Sequence, residues 1–150
     1  MAAKWLNAQE MVAWRTFIET SRDLLRSIEQ DLAEFGLDGG DYQLLAMLSE
    51  TPEHQLRMCE LADILRVTRG GLTRRMEGVV QKKLVVRVKS DQDKREVFAV
   101  LTAKGLSEIQ KVAPHHVKSV RRLMLDVLTP QEINVIGRAF TKISQNIASQ

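Results

Sequence analysis

At 150 residues, with 44% hydrophobic and 27% charged side chains, the chain is long enough to bury a core as one domain and has the composition of a soluble globular protein. No apolar run approaches the roughly 20 residues of a membrane helix, and the stretch Met1 to Glu10 has Lys4 as its one basic residue and lacks the apolar core of a secretory signal. A single cysteine, Cys59, excludes an internal disulfide framework and fits a reducing, cytoplasmic setting.

The net charge of +3 hides a division along the chain. Residues 1–56 carry four basic and ten acidic side chains, residues 57–104 twelve and six, and residues 105–150 six and three. A basic middle third attracts polyanions, nucleic acid foremost. A solvated charged surface without a partner is the plainer alternative.

From about Ala8 to Phe35, apolar residues recur at three- and four-residue intervals, which predicts a long amphipathic helix ended by Gly36. Asp41 is placed to cap a second helix with Leu44, Leu45, Met47 and Leu48 inward, and Pro52 marks its exit. Arg57 to Arg66 reads as a short third helix with Met58, Leu61, Ala62 and Leu65 on one face. After the turn Val67-Thr68, a fourth helix from Arg69 to Lys83 turns Leu72, Met76, Val79 and Val80 inward and Arg69, Thr73 and Arg74 outward. Two short helices about a tight turn, the second with outward arginines, form a helix-turn-helix.

The β-branched run Leu84 to Val88, a charged loop, and Val97 to Leu101 then predict a two-stranded hairpin projecting as a wing. Thr102 caps a fifth helix that reaches Val127, with Pro114 expected to kink or interrupt it. Thr129-Pro130-Gln131-Glu132 reads as a capping box for a sixth helix. That helix carries Ile133, Ile136, Phe140, Ile143 and Ile147 on one heptad stripe. Such a stripe needs cover, from a second copy or from the protein's own first helix.

The segment "ELADILRVTRGGLTRRMEGVVQKKLVVRV" followed by "DKREVFAVLT" resembles the multiple-antibiotic-resistance regulator (MarR) family of bacterial transcription factors. The likeness extends from about Trp14 to the end. Its most specific element is Asp-x-Arg, five residues, then Leu-Thr, here Asp93, Arg95, Leu101 and Thr102. The resemblance implies a mainly α fold with a small β-hairpin wing: a single unit over 1–150, with a winged helix-turn-helix over 41–104 and helical dimerisation parts over 1–40 and 105–150. It further implies an obligate homodimer on a pseudo-palindromic double-stranded DNA operator, most simply as a repressor, and in many members release by small phenolic, aromatic or other lipophilic compounds. Two departures stand out. Lys83 occupies a position where the family often has glycine, and Gly70 or Gly71 replaces a hydroxyl residue common near the start of the recognition helix.

On this reading Arg69, Thr73 and Arg74 line the major groove, since arginine's fork matches guanine. Thr68 caps the helix, Gly70 and Gly71 let backbone N–H groups approach a phosphate, and Arg57, Arg75, Lys82, Lys89 and Lys94 serve the backbone or the general field. Arg95 enters the minor groove, and Asp93 orients it through a charge-assisted pair. An apolar effector site would draw on some of Trp14, Phe17, Ile18, Tyr42, Met47 and His116, each of which is otherwise plain core except His116, which core packing explains less easily. Redox sensing through Cys59 is the competing signal. No cofactor is expected, and no metal, because the adjacent His115 and His116 diverge on a helix and no Cys or His pair has ligand spacing. No nucleophile elbow or phosphate loop points to an enzyme. A winged-helix protein-interaction module without DNA binding is the remaining alternative.

Overall fold

The computed structural model describes residues 3–150. In chain order it contains α1 (Ala8–Ala33), α2 (Gly39–Glu50), a 3-10 turn (Pro52–His54), β1 (Gln55–Arg57), α3 (Met58–Leu65), α4 (Arg69–Gln81), β2 (Val85–Lys89), β3 (Val97–Leu101), α5 (Ala103–Leu123), a second 3-10 turn (Leu125–Val127) and α6 (Pro130–Ala148). Internal packing divides the chain into two compact units, one ending at His116 and one spanning Val117–Gln150.

In the first unit, Asn7 opens α1 with a reciprocal box: its Oδ1 accepts from the Glu10 N–H at 2.9 Å, and Glu10 accepts from the Asn7 N–H at 2.8 Å. The helix stops at Ala33, and Gly36 takes φ +70° in the turn that follows. The expected cap of α2 moves three residues upstream. Asp38, not Asp41, is the cap, accepting from the Asp41 N–H at 2.7 Å, so Gly39 and Gly40 lie inside the helix and Asp41 is released for another task.

The expected hairpin is part of a three-stranded antiparallel sheet of order β1-β3-β2. Gln55 to Arg57 pair with Val100 to Phe98, so Arg57, expected to open the third helix, ends a strand and α3 begins one residue later than expected. The β2–β3 pairing aligns Val85 with Leu101 and Lys89 with Val97. Of these residues Val85, Ala99 and Leu101 are buried, which fastens the base of the wing to the helices, while Val86 and Val88 stay exposed. The core is completed by Leu44, Leu45 and Leu48 of α2, Leu61 and Leu65 of α3, Leu72, Met76 and Val79 of α4, and Ile109 and Val112 of α5.

Thr102 caps α5 as expected, accepting from the Gly105 N–H at 2.9 Å while its own hydroxyl donates to the Lys83 carbonyl at 2.8 Å. The helix runs through Pro114 rather than being interrupted there, and it ends at Leu123 instead of Val127, giving way to the 3-10 turn. A proline removes one backbone bond, which a 21-residue helix tolerates. In the second unit, Thr129 and Glu132 form the expected box around Pro130, and no residue of α6 is buried.

Candidate nucleic-acid interface

The turn between α3 and α4 is built from a left-handed residue and a cap. Arg66 takes φ +53°, which lets the Val67 N–H bond back to the Ala62 carbonyl at 3.1 Å and closes α3. Two residues later the Thr68 hydroxyl accepts from the Gly71 N–H at 3.0 Å and starts α4. With Leu72, Met76 and Val79 buried, the helical period turns Arg69, Gly70, Thr73 and Arg74 to solvent. Nothing lies near Gly70, so the first turn of α4 is open to a close-approaching surface. The Thr73 hydroxyl donates to the Arg69 carbonyl at 2.9 Å, and the residue stays exposed.

The wing supplies the second surface. Asp93 Oδ1 accepts from the Arg95 N–H at 2.9 Å and from its Nε at 3.2 Å, and Oδ2 accepts from Nη2 at 3.2 Å. Arg95's side-chain and backbone bonds hold the Asp93 carboxyl below the usual carboxylate range. The Arg95 side chain remains 92% exposed. Ser90 steadies the loop by accepting from the Gln92 and Asp93 N–H groups. Lys89 and Lys94 are exposed beside it.

Two arginines tie the wing to the helices. Arg57 meets Glu96 at 3.3 Å, and Arg87 Nη2 donates to the Thr73 carbonyl at 3.3 Å. Sequence reasoning misses Arg87; strand alternation puts it on the same face of β2 as the buried Val85, and a cation on that face is the signal that marks it. Arg57, Arg69, Arg87 and Arg95 rim a cavity of about 450 Å³, with Met58, Leu72 and Val97 supplying apolar walls. Exposed Cys59 also lines it.

Arg75 differs from its neighbours. Its guanidinium turns away from solvent to Asp38 and to Asp41, the latter at 3.0 Å. Burial pushes the Asp38 carboxyl up, but the Asp41 N–H and the Arg75 guanidinium outweigh it and hold the group below its ordinary value. For Arg75, burial opposes the charge and the two aspartates more than restore it. Lys82 donates to Asp41 Oδ2 at 2.9 Å and to the Gly36 carbonyl at 2.8 Å.

The residues expected to form an effector site fall into separate groups. Trp14 and Phe17 lie 6.3 Å apart on α1, both substantially exposed, with half-buried Ile18 beside them in sequence. Tyr42 and His116 stack at 4.1 Å, and Met47 packs against the core. His116 Nδ1 is buried without a hydrogen-bond partner, and burial holds the ring's pKa below its ordinary value. On α6, Ile133, Phe140, Ile143 and Ile147 are exposed and Ile136 is half-buried. No cluster of His, Cys, Asp or Glu able to hold a metal occurs among the described residues.

Comparison with known proteins accounts for this arrangement. A sequence profile of the MarR family matches residues 35–96, the stretch from the end of α1 into the wing. The chain is 38% identical to AbsC, a MarR family transcriptional regulator from Streptomyces coelicolor, covering 99% of this chain and 100% of that one with a TM-score of 0.95. It is 32% identical to Sco3205 from the same organism, a MarR family regulator solved in complex with DNA, over 97% of this chain and 91% of that one with a TM-score of 0.94. The transcriptional repressor YetL of Bacillus subtilis is 22% identical over 93% of this chain and 85% of its own length. These relatives are transcriptional regulators and not enzymes. Taken with the capped helix pair, the three-stranded sheet and its wing, they show that the chain belongs to the MarR family of winged helix-turn-helix regulators.

Proposed function

We propose that the protein is a sequence-specific DNA-binding repressor that acts as a homodimer on a pseudo-palindromic operator. The observation that carries this reading is the juxtaposition of two exposed cationic elements, the Arg69–Arg74 face of α4 and the Asp93-held Arg95 of the wing, on either side of an arginine-rimmed groove. The α4 face fits a major groove and the wing tip an adjacent minor groove. Arg57, Lys89 and Lys94 add phosphate contacts at the rim, and the similarity to Sco3205, solved with DNA, supports the same mode here.

Dimerisation is supported by the exposed large apolar residues Ile133, Ile143 and Ile147, with Phe140 on the same stripe, an apolar surface that contact with water leaves unfavourable. The domain assignment follows: residues 41–104 carry the DNA-binding part and the flanking helices the dimer. A DNA partner locates the protein in the cytoplasm, and no helix among the described residues is long and apolar enough to cross a membrane.

Release by a small aromatic or lipophilic compound is the signal we favour, received at the Tyr42–His116 stack, where a buried ring nitrogen lacks a partner. Selection of genomic fragments by the purified protein tests the main reading. Recovery of a few fragments sharing an inverted repeat is expected, and recovery of none, or of all fragments alike, overturns it. Thermal-shift screening with phenols and aromatic acids tests the signal, a rise in Tm reversed by His116→Ala being the expected result.

A further inference from the structure

Asp41 is the most buried carboxylate of the first unit, 7% exposed, and it neither caps α2 nor sits in a surface ion pair. Each of its oxygens is taken by a different cation from the α4 segment: Oδ1 by Arg75 at 3.0 Å and Oδ2 by Lys82 at 2.9 Å. Those two residues are seven apart, so at about 100° per residue they occupy one face of the helix. Arg75 stands about 200° around the helix from Thr73, on the side away from the exposed Arg69–Thr73 row. The same clamp gathers three further pieces. Asp38, the cap of α2, accepts from Arg75, the Gly36 carbonyl accepts from Lys82 Nζ, and the Lys82 carbonyl accepts from Lys104 Nζ at 2.9 Å.

The site is built for this contact. A Cβ at Gly40 would collide with the Arg75 guanidinium, so the glycine is what lets the guanidinium lie across the first turn of α2. The Arg75 guanidinium is therefore committed before any ligand arrives. Side-chain exposure is 10% for Asp41, 29% for Arg75 and 43% for Lys82, whose ammonium is held by Asp41 and the Gly36 carbonyl.

We propose that Arg75 and Lys82 are positioning residues: clamped by Asp41, they set where α4 sits against α2, and thereby where Arg69, Thr73 and Arg74 meet DNA, without contacting DNA themselves. A buried pair of this kind adds little net stability over an apolar replacement, but loss of one partner strands the other, so it fixes one arrangement of the two helices. The proposal rests on the DNA-binding reading above.

The test is DNA affinity of the full chain across a salt series, using a fragment selected from the genome, for Arg75→Gln, Asp41→Asn, the double variant, and Lys89→Gln for comparison. Arg75→Gln and Asp41→Asn are each expected to weaken binding about tenfold or more, roughly 1.4 kcal/mol. Neither should change the slope of log affinity against log salt, and the double variant should lose less than the sum of the two single losses, since both singles break the shared Arg75–Asp41 link. Lys89→Gln, which removes one of the rim phosphate contacts, should flatten the slope, by about 0.9 for each phosphate that is no longer neutralised. A phosphate-binding Arg75 gives the opposite pattern and overturns the proposal: its replacement flattens the slope, and Asp41→Asn strengthens binding by freeing the guanidinium. Should Asp41→Asn fail to fold, Asp38→Asn, which removes the more exposed arm, should weaken binding in the same direction by a smaller factor; stronger or unchanged binding counts against the clamp. Wild-type binding with variants of wild-type affinity sinks the positioning role alone, whereas a wild type that selects no fragment sinks the DNA reading and the positioning role with it.

Discussion

Asp93 grips Arg95 at three points, through its backbone N–H, its Nε and its Nη2, while the guanidinium stays almost wholly in solvent. A surface pair of this kind adds little to stability, yet it confines a long side chain to one direction. Confinement lowers the entropy lost when the side chain docks. Asp93→Ala should therefore weaken DNA binding severalfold, although it removes a negative charge from a surface that faces a polyanion. Arg95→Ala should weaken it further, and adding Asp93→Ala to that variant should weaken it no more, since the orienting role needs the Arg95 guanidinium. Titrations by fluorescence anisotropy check all three, with Tm unchanged throughout.

Gly105 is required for a steric reason. A Cβ there would run into the Leu84 carbonyl, the same oxygen that accepts from the Thr102 N–H at 3.0 Å where β3 passes into α5. Backbone gives way less readily than a side chain end. Gly105→Ala should cost about 1–3 kcal/mol despite its favourable helix propensity, measured by urea unfolding.

Lys83 takes φ +62°, and the Leu84 N–H bonds back to the Val79 carbonyl at 2.9 Å to close α4. A left-handed conformation costs a side chain-bearing residue about 1–2 kcal/mol, part of which glycine returns as unfolded-chain entropy. Lys83→Gly, which restores the residue common in the family, should raise stability by about 0.5–1 kcal/mol, read from the urea midpoint. The Lys83 carbonyl still accepts from Thr102, so the junction with α5 is retained.

His116 gives stability a pH dependence of definite sign. Burial lowers its folded pKa below the ordinary 6.5, so the unfolded chain takes up a proton more readily than the folded one. Its contribution is complete above about pH 6.5 and is lost as pH falls through the lowered folded value. His116→Phe keeps a ring against Tyr42 and removes the unpartnered nitrogen. It should flatten this part of the Tm–pH curve and leave stability at neutral pH equal or higher, by up to about 1 kcal/mol.

The winged helix-turn-helix is legible in the sequence because its signals are local. The buried row Leu72, Met76 and Val79, the Thr68 cap, the Thr129–Glu132 box and the β-branched strands each declare themselves within a few residues. What escapes a sequence reading depends on contacts far apart in the chain. Strand β1 is three residues long and exists because Leu56 finds Ala99 across more than forty residues, which no period in Gln55 to Arg57 announces. Once Asp38 caps α2, Asp41 is free to pair with Arg75 and Lys82, partners more than thirty residues away that no local pattern announces. Arg75 itself reads as one more arginine in a basic run, and only the fold reveals which way it points. The effector-site candidates are mostly apolar residues, and apolar character does not say which of them meet: Tyr42 and His116 lie together, while Trp14 and Phe17 contact each other on α1.

The central claim, that α4 and the wing of two protomers together read one operator, is tested most directly by a hydroxyl-radical footprint on a selected genomic fragment. Two symmetric protected blocks about 34 Å apart, one helical turn, are expected, each flanked by minor-groove protection that disappears in Arg95→Ala. A single block, or uniform protection that Arg95→Ala leaves in place, would contradict it.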